Sequence, residues 1–374
     1  MKFCYFHLMP WTDLDEAPSQ WPASNASFSP QRAKELYDGY IDSMVFAEQC
    51  GFDWVGCNEH HFSPYGLMAN CNLIGSALAY RTRDIKLAML GNLVPLLNPV
   101  RVAEEYAMLD VMSGGRLIAG LIRGVPHEYI AYNVNADESR ARLREAVSLI
   151  IKCWTEPEPF GWEGEYYQYP SISLWPRPWQ RPHPPILMSA SNEESAEFCG
   201  EFKAIMGLTL IADLAIARRS IDIYRRATAM QGFTPPPEYI LCGYNTCIMD
   251  DDAEARHTLE EGQRYFHRVL MHSIRDAQRL VITRSRYFGQ DQAGETFVKR
   301  LVALKERTID EQIEAGSVFC GSPDKVIQQM KRVHGELGNG MFNLNFKIGN
   351  IPDAAVTRGM ELFRDKVLPA VRDL

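Results

Sequence analysis

The sequence predicts an α/β fold: a single (β/α)8 TIM barrel with insertions at the C-terminal face of its strands. Three observations carry this expectation. Short apolar runs alternate with longer amphipathic ones along the chain, as in repeated βα units around a parallel sheet. Eight such runs can be counted, and 374 residues suffice for one large barrel. No Pro/Ser-rich linker divides the chain, whereas a doubly wound open sheet, the competing architecture, needs fewer strands or a second domain.

The first four strands are expected at Phe3 to Leu8, Asp53 to Cys57, Ile85 to Asn92 and Arg116 to Leu121, each a compact run bounded by polar or Gly/Pro punctuation. Between them, Gln31 to Cys50 spaces Leu36, Tyr40, Met44 and Ala47 three and four apart, with Gly51 as a stop. Val100 to Met112 is the next helix, entered through Pro99 and ended by Ser113-Gly114-Gly115. Ser139 to Trp154 carries Leu143, Val147 and Ile150 on one helical face. The later strands are expected at Pro185 to Met188, Ala204 to Leu210, Tyr239 to Ile248 and Met341 to Lys347.

Two segments exceed a minimal barrel. Residues 155–184, rich in Pro, Trp and Tyr, read as a long ordered insertion loop before the fifth strand. Residues 250–316 read as a helical insertion after the seventh, charged at Arg264, Arg268, Arg275, Arg279, Arg284 and Arg286. That place in the chain puts it over the active-site end as a lid or oligomer contact, with a solvated helical hairpin as the plain alternative.

Composition narrows the function. With 39 Lys+Arg against 47 Asp+Glu the net charge is −8, which argues against nucleic acid as a partner. No run reaches the roughly 18 apolar residues of a membrane helix, and Pro10, Trp11 and Asp13 interrupt any apolar leader, so no membrane association is expected. The nine cysteines form no C-x-x-C pair and read as reduced core thiols, pointing to a cytoplasmic protein.

In such a barrel the site lies where the strands end. There stand Asn58-Glu59-His60-His61-Phe62, Leu90-Gly91-Asn92, Arg123-Gly124 and Ser189-Ala190-Ser191-Asn192, four polar clusters sharing one mouth. Adjacent histidines on extended chain point opposite ways and chelate one ion poorly, so no metal site is expected. One of them is expected to face the pocket and move protons near neutral pH, unless it is held structurally by Glu59 or backbone. Ser189-Ala190-Ser191, followed by a helix from about Glu193, offers N–H groups and the hydroxyls of Ser191 and Ser195 to an anion, with Arg123 supplying charge. Ordinary N-capping by Ser191 or Asn192 is the alternative. Trp11, Trp21, Phe62, Tyr65, Met68 and the Trp162 to Tyr169 loop are candidates for an apolar substrate wall or for core and surface cover.

Taken in order, several motifs resemble the luciferase-like flavin-dependent monooxygenases. They are the opening Met1-Lys2-Phe3 to Pro10, Asn58-Glu59-His60-His61, Tyr65-Gly66-Leu67-Met68, Leu90-Gly91-Asn92 and Asn98-Pro99-Val100-Arg101-Val102-Ala103-Glu104-Glu105. Met108-Leu109-Asp110, Ser113-Gly114-Gly115-Arg116-Leu117, Trp154-Thr155-Glu156, Trp175-Pro176-Arg177-Pro178, Pro182-His183-Pro184-Pro185 and Cys320-Gly321-Ser322-Pro323 continue the likeness, which is weakest from Leu210 to Gly316.

The resemblance implies a barrel of the bacterial-luciferase type that takes reduced FMN from a separate NAD(P)H:flavin reductase. With O2 as co-substrate it would oxygenate a hydrophobic organic substrate through a peroxyflavin, by hydroxylation or a Baeyer–Villiger step. It assigns proton transfer to His60, with His61 as a second member, and cofactor contacts to Asn58, Asn92, Arg123, Tyr129, Ser189, Ala190, Ser191 and Ser195. Asn92 is expected against the pyrimidine edge of the ring. The resemblance also implies a homodimer. A related branch suggests the alternative of deazaflavin-dependent hydride transfer. The glycine-poor turn Ser189-Ala190-Ser191-Asn192 departs from many relatives.

Overall fold

The computed structural model describes residues 1–209, 211–285 and 307–374; Leu210 of the sixth expected strand, together with Arg286 and the rest of 286–306 in the helical insertion, lies outside them. Eight parallel strands close into a barrel: β1 (Lys2–His7), β2 (Trp54–Cys57), β3 (Lys86–Leu93), β4 (Leu117–Ile122), β7 (Ile186–Ser189), β8 (Ile205–Leu208), β9 (Ile240–Ile248) and β11 (Met341–Asn345). Closure runs through Phe3 beside Phe342 and through Met206 beside Ile240. Each barrel strand lies within a residue or two of its expected run.

Alternation along the strands sorts side chains between two cores. Phe3 and Tyr5 face the helices, whereas Cys4 joins Trp54, Ala88, Leu90, Ile118, Leu187, Ile205, Leu241 and Met341 in a separate cluster inside the barrel. The helical ring is formed by α1 (Pro30–Gln49), α2 (Cys71–Arg81), α3 (Pro99–Met112), the short α4 (Pro126–Ala131), α5 (Ser139–Thr155), α6 (Glu193–Glu201) and α7 (Leu214–Met230). Proline at the first turn and a side-chain cap from Ser29 or Asn98 start α1 and α3.

Two features depart from the expected elements. The 155–184 segment is no plain loop: β5 (Phe160–Glu163) and β6 (Gln168–Ile172) pair antiparallel, and the Glu145 carboxylate of α5 ties the hairpin down through Trp162, Tyr166 and Tyr167. The insertion after β9 holds α8 (Asp252–Tyr265), a widened turn at Phe266–Leu270, α9 (His272–Arg284), α10 (Ile309–Glu314) and then β10 (Val318–Gly321), which pairs with the end of β9. All nine cysteines are buried and unbridged, as expected for core thiols. Among the described residues no helix is long and apolar enough to cross a membrane.

Inside the ring, β3 and β4 approach most closely at a bulge between Met89 and Asn92. A Cβ on Gly120 would stand 2.0 Å from the Met89 carbonyl oxygen and 3.1 Å from Gly91 Cα. Backbone on both sides cannot move without breaking strand pairing. Gly120→Ala is expected to cost about 2 kcal/mol, the scale of overpacking, read as a lower urea midpoint; an unchanged midpoint would show that the bulge yields freely.

Candidate active site

The strand ends surround a cavity of about 360 Å³, within the size range of small-molecule sites. One wall is built around His60. Its Nδ1–H donates to Glu128 Oε1 at 2.7 Å, and its Nε2 accepts from the Asn58 amide at 2.8 Å. These two partners fix the ring's orientation and tautomer, the arrangement expected of a group that exchanges a proton.

Glu128 is fully buried on α4. Its other oxygen accepts the Val125 N–H at 2.9 Å, and Gly124, at φ 94°, makes the tight turn that brings the helix back over the cavity. Burial alone would raise the Glu128 carboxyl, but the charge and hydrogen bond of His60, with smaller contributions from His127 and Val125, hold it below the ordinary value. The site therefore keeps a carboxylate behind the imidazole.

His61 points the other way. Its Nε2 lies 3.3 Å from Glu59 Oε1 and its Nδ1 accepts from Tyr132 Oη at 3.1 Å, buried and off the cavity lining. The opposed rings follow from adjacency on extended chain. Of the expected pair, only His60 reaches the cavity.

A second part of the lining is cationic and hydroxyl-rich. Arg123 after β4, Ser189, Ser191 and Asn192 after β7, Ser195 of α6, and Arg140 and Arg144 of α5 all belong to it. Asn192 caps α6: its Oδ1 accepts the Ser195 N–H at 2.9 Å while its own N–H donates to Ser195 Oγ at 3.0 Å. The capping alternative is thus realised by Asn192, and Ser191 takes no part in it. Arg140 pairs with Glu194, offsetting a carboxylate that would otherwise repel an anion here, and Arg144 bonds Glu201 at 2.6 Å.

Three further expected residues stand elsewhere. Asn92 would face inward if alternation continued from Ala88 and Leu90, but the β3 bulge turns it outward. There its amide exchanges 3.3 Å hydrogen bonds with Asn72, and Leu93 takes its place at the cavity. Tyr129 packs against Ala136 and Val281 and donates to the Arg123 carbonyl at 2.7 Å, positioning that loop without lining the cavity. Ala190 alternates away from the lining, its N–H bonded to the Gly207 carbonyl. Tyr65 alone of the aromatic candidates lines the cavity, edge-on to His60 at 4.6 Å. Trp162 belongs to the hairpin and Phe62 is exposed.

Buried polar atoms without partners gather here. Asn58 Oδ1, both nitrogens of His127, Tyr244 Oη, Gln278 Oε1, Asn343 Oδ1 and Asn345 Oδ1 belong to cavity-lining residues and make no hydrogen bond. Such groups are costly unless a bound molecule satisfies them. Most are acceptors or can act as acceptors, which suits a ligand rich in O–H and N–H donors, while the arginine and serine wall suits a phosphate. A flavin mononucleotide has both.

A model of the family described as luciferase-like monooxygenase matches residues 19–339. The chain belongs to this family. Among relatives of this luciferase-like monooxygenase, the alkanal monooxygenase alpha chain of Photobacterium leiognathi is 24% identical over 94% of this chain and 99% of its own. The oxygenase component of the flavin-dependent trigonelline monooxygenase of Acinetobacter baylyi is 32% identical over 45% of this chain, which spans only 47% of that protein. The fold matches the oxygenating constituent of 3,6-diketocamphane monooxygenase from Pseudomonas putida, solved with FMN, at a TM-score of 0.75 and 21% identity over 99% of this chain and 98% of that one.

Sequence reading missed His127, Arg140, Arg144, Asn343, Asn345 and Gln278 of the luciferase-like monooxygenase's cavity, and Glu128 buried behind His60. Arg140 and Arg144 had a signal in their i, i+4 spacing, which puts both on one face of α5. His127 has a consequence for stability. Burial lowers its ring from 6.5 to about 4, so it is neutral in the folded protein while the unfolded chain binds a proton below 6.5. Stability is complete above that value and is lost as pH falls toward 4. Between pH 7 and 5 this one residue is expected to cost about 2 kcal/mol. Urea denaturation of His127→Phe should show that much less acid sensitivity; an identical pH dependence would mean the ring titrates in the fold as it does in the unfolded chain.

Proposed function

We propose that this protein is the oxygenase component of a two-component monooxygenase, binding reduced FMN supplied by a separate NAD(P)H:flavin reductase and inserting one atom of O2 into an organic substrate. The observation that carries the reading is that one cavity joins His60, braced at both ring nitrogens, to a wall of arginine and serine suited to a phosphate. Family membership and the flavin-dependent relative support it.

In this reading Arg123, Arg140 and the hydroxyls of Ser189, Ser191 and Ser195 hold the phosphate. Asn58, Asn343 and Asn345 accept from the donors along the rest of the molecule. Bound reduced flavin supplies the electron pair that lets one oxygen atom enter the substrate while the other leaves as water. His60 takes up a proton at Nε2, the nitrogen that accepts from Asn58 in the neutral ring, and gives it back. Glu128 keeps the imidazole in place and stabilises it when charged. Phe6, Leu8, Leu90, Leu93 and Phe266 keep bulk water from the reacting centre.

Hydroxylation and Baeyer–Villiger insertion are both within reach of this arrangement, and the apolar lining favours a largely hydrophobic substrate. A homodimer in a reducing, cytoplasmic setting completes the proposal; the buried, unbridged thiols support the setting. The test is to mix the protein anaerobically with reduced FMN, add oxygen, and follow absorbance by stopped flow. Reappearance of oxidised flavin should be much slower than without protein, and a true substrate should change its rate. Reoxidation as fast as in protein-free solution would sink the oxygenase reading and direct the next titration to a reduced deazaflavin.

A further inference from the structure

The cavity has a further cation besides Arg123, Arg140 and Arg144. Arg275 comes from α9, where Met271, Ile274, Arg275 and Gln278, at i, i+3, i+4 and i+7, all line the cavity. Its Nη2 donates to the His267 carbonyl at 2.7 Å and to the His267 ring at 3.2 Å. Among the described residues no carboxylate pairs with it, and its Nε and Nη1 donate to no group there. Half-burial lowers the proton affinity of the guanidinium, with Arg279 nearby adding to the effect. Other arginines of this insertion, such as Arg264 with Glu260 and Glu261, have acidic partners at the surface.

One helical turn on, Gln278 is 4% exposed with Oε1 bonded to nothing. Turned end for end, the same amide offers a donor to a second oxygen. Ring contacts lead from His60 to Tyr65 at 4.6 Å, to Phe266 at 5.5 Å and to His267 at 5.2 Å, and Arg275 holds that last residue. The arginine and serine wall that suits a phosphate is built from other elements, the ends of β4 and β7 with α5 and α6.

The phosphate is the one group of FMN that is anionic in both redox states, and the arginine and serine wall suits it. The geometry points to Arg275, with Gln278, as the site for a substrate carboxylate, so that the substrate class is an apolar or aromatic carboxylic acid whose body packs on Phe266, Ile274 and Leu8. This rests on the FMN reading for the assignment of the other wall. A planar guanidinium with two donors to spare matches the two oxygens of a carboxylate, and its partly desolvated position strengthens the pairing.

The test titrates the full chain, with and without oxidised FMN, by calorimetry with benzoate and octanoate and with their neutral isosteres benzamide and octanamide. At least one acid is expected to bind about tenfold or more tightly than its amide, the scale of one charge-assisted hydrogen-bonded pair. Arg275→Met should erase the preference and Arg275→Lys should keep part of it, while FMN affinity stays unchanged in both. The proposal is overturned if neither acid binds the wild type better than its amide, or if the preference survives Arg275→Met. It is equally overturned if Arg275→Met weakens FMN instead, since Arg275 would then serve the phosphate. Failure of the wild type to bind FMN at all would sink the cofactor reading and leave the acid–amide comparison to stand by itself.

Discussion

His60→Ala should slow turnover in the proposed monooxygenase reaction by roughly a hundredfold or more while leaving FMN affinity nearly unchanged, the scale of general acid–base catalysis. The split follows from position. His60 commits Nδ1 to Glu128 and Nε2 to Asn58, and neither partner belongs to the arginine and serine wall that suits the phosphate. Removing the ring takes away the proton-exchanging group and leaves that wall intact.

A companion variant separates chemistry from scaffolding. Glu128→Gln keeps the size of the side chain and an acceptor for His60 Nδ1, but removes the buried carboxylate behind the ring. Its expected loss is smaller than that of His60→Ala, and the double variant should be no slower than His60→Ala alone, because Glu128 acts through the imidazole. Wild-type turnover in His60→Ala, measured as substrate-dependent oxygen consumption, would remove His60 from the mechanism. A parallel collapse of FMN affinity would make it a cofactor residue.

The barrel was legible because eight parallel strands buried on both faces leave eight compact apolar runs, such as Ile186–Ser189 and Ile205–Leu208, between amphipathic helices. The 160–172 hairpin was not, since its strands alternate half-buried and exposed positions and carry Gly161 and Pro170. The four-residue strand Val318–Gly321 was not read either, since so short a run just beyond the 250–316 insertion has no length or alternation to mark it. Residues at strand ends, Arg123 among them, could be placed at the mouth from position, whereas the choice of His60 over His61 came from the family resemblance. Asn92 could not, because a one-residue bulge reverses which side faces inward and leaves no mark in the apolar pattern. Arg140, Arg144 and Arg275 sit on amphipathic helices, where a charge facing a cavity and a charge facing solvent have the same spacing.

Arg123→Ala should weaken FMN binding by roughly thirtyfold to a hundredfold, the loss of charged hydrogen bonds worth about 2 to 3 kcal/mol, with little change in turnover once flavin is saturating. Arg123 leaves β4 directly into the cavity, and its carbonyl is pinned by Tyr129 Oη at 2.7 Å, so the loop is held by the backbone and survives removal of the side chain. Arg140, paired with Glu194, and Arg144, paired with Glu201, line the same cavity as Arg123. Riboflavin, which lacks the phosphate, provides the control: it should bind wild type and Arg123→Ala alike. Equal weakening for riboflavin and FMN would mean that Arg123 shapes the pocket and does not read the phosphate. Unchanged FMN affinity would move the phosphate to Arg140 and Arg144, where the Glu194 and Glu201 pairs would have to open to receive it.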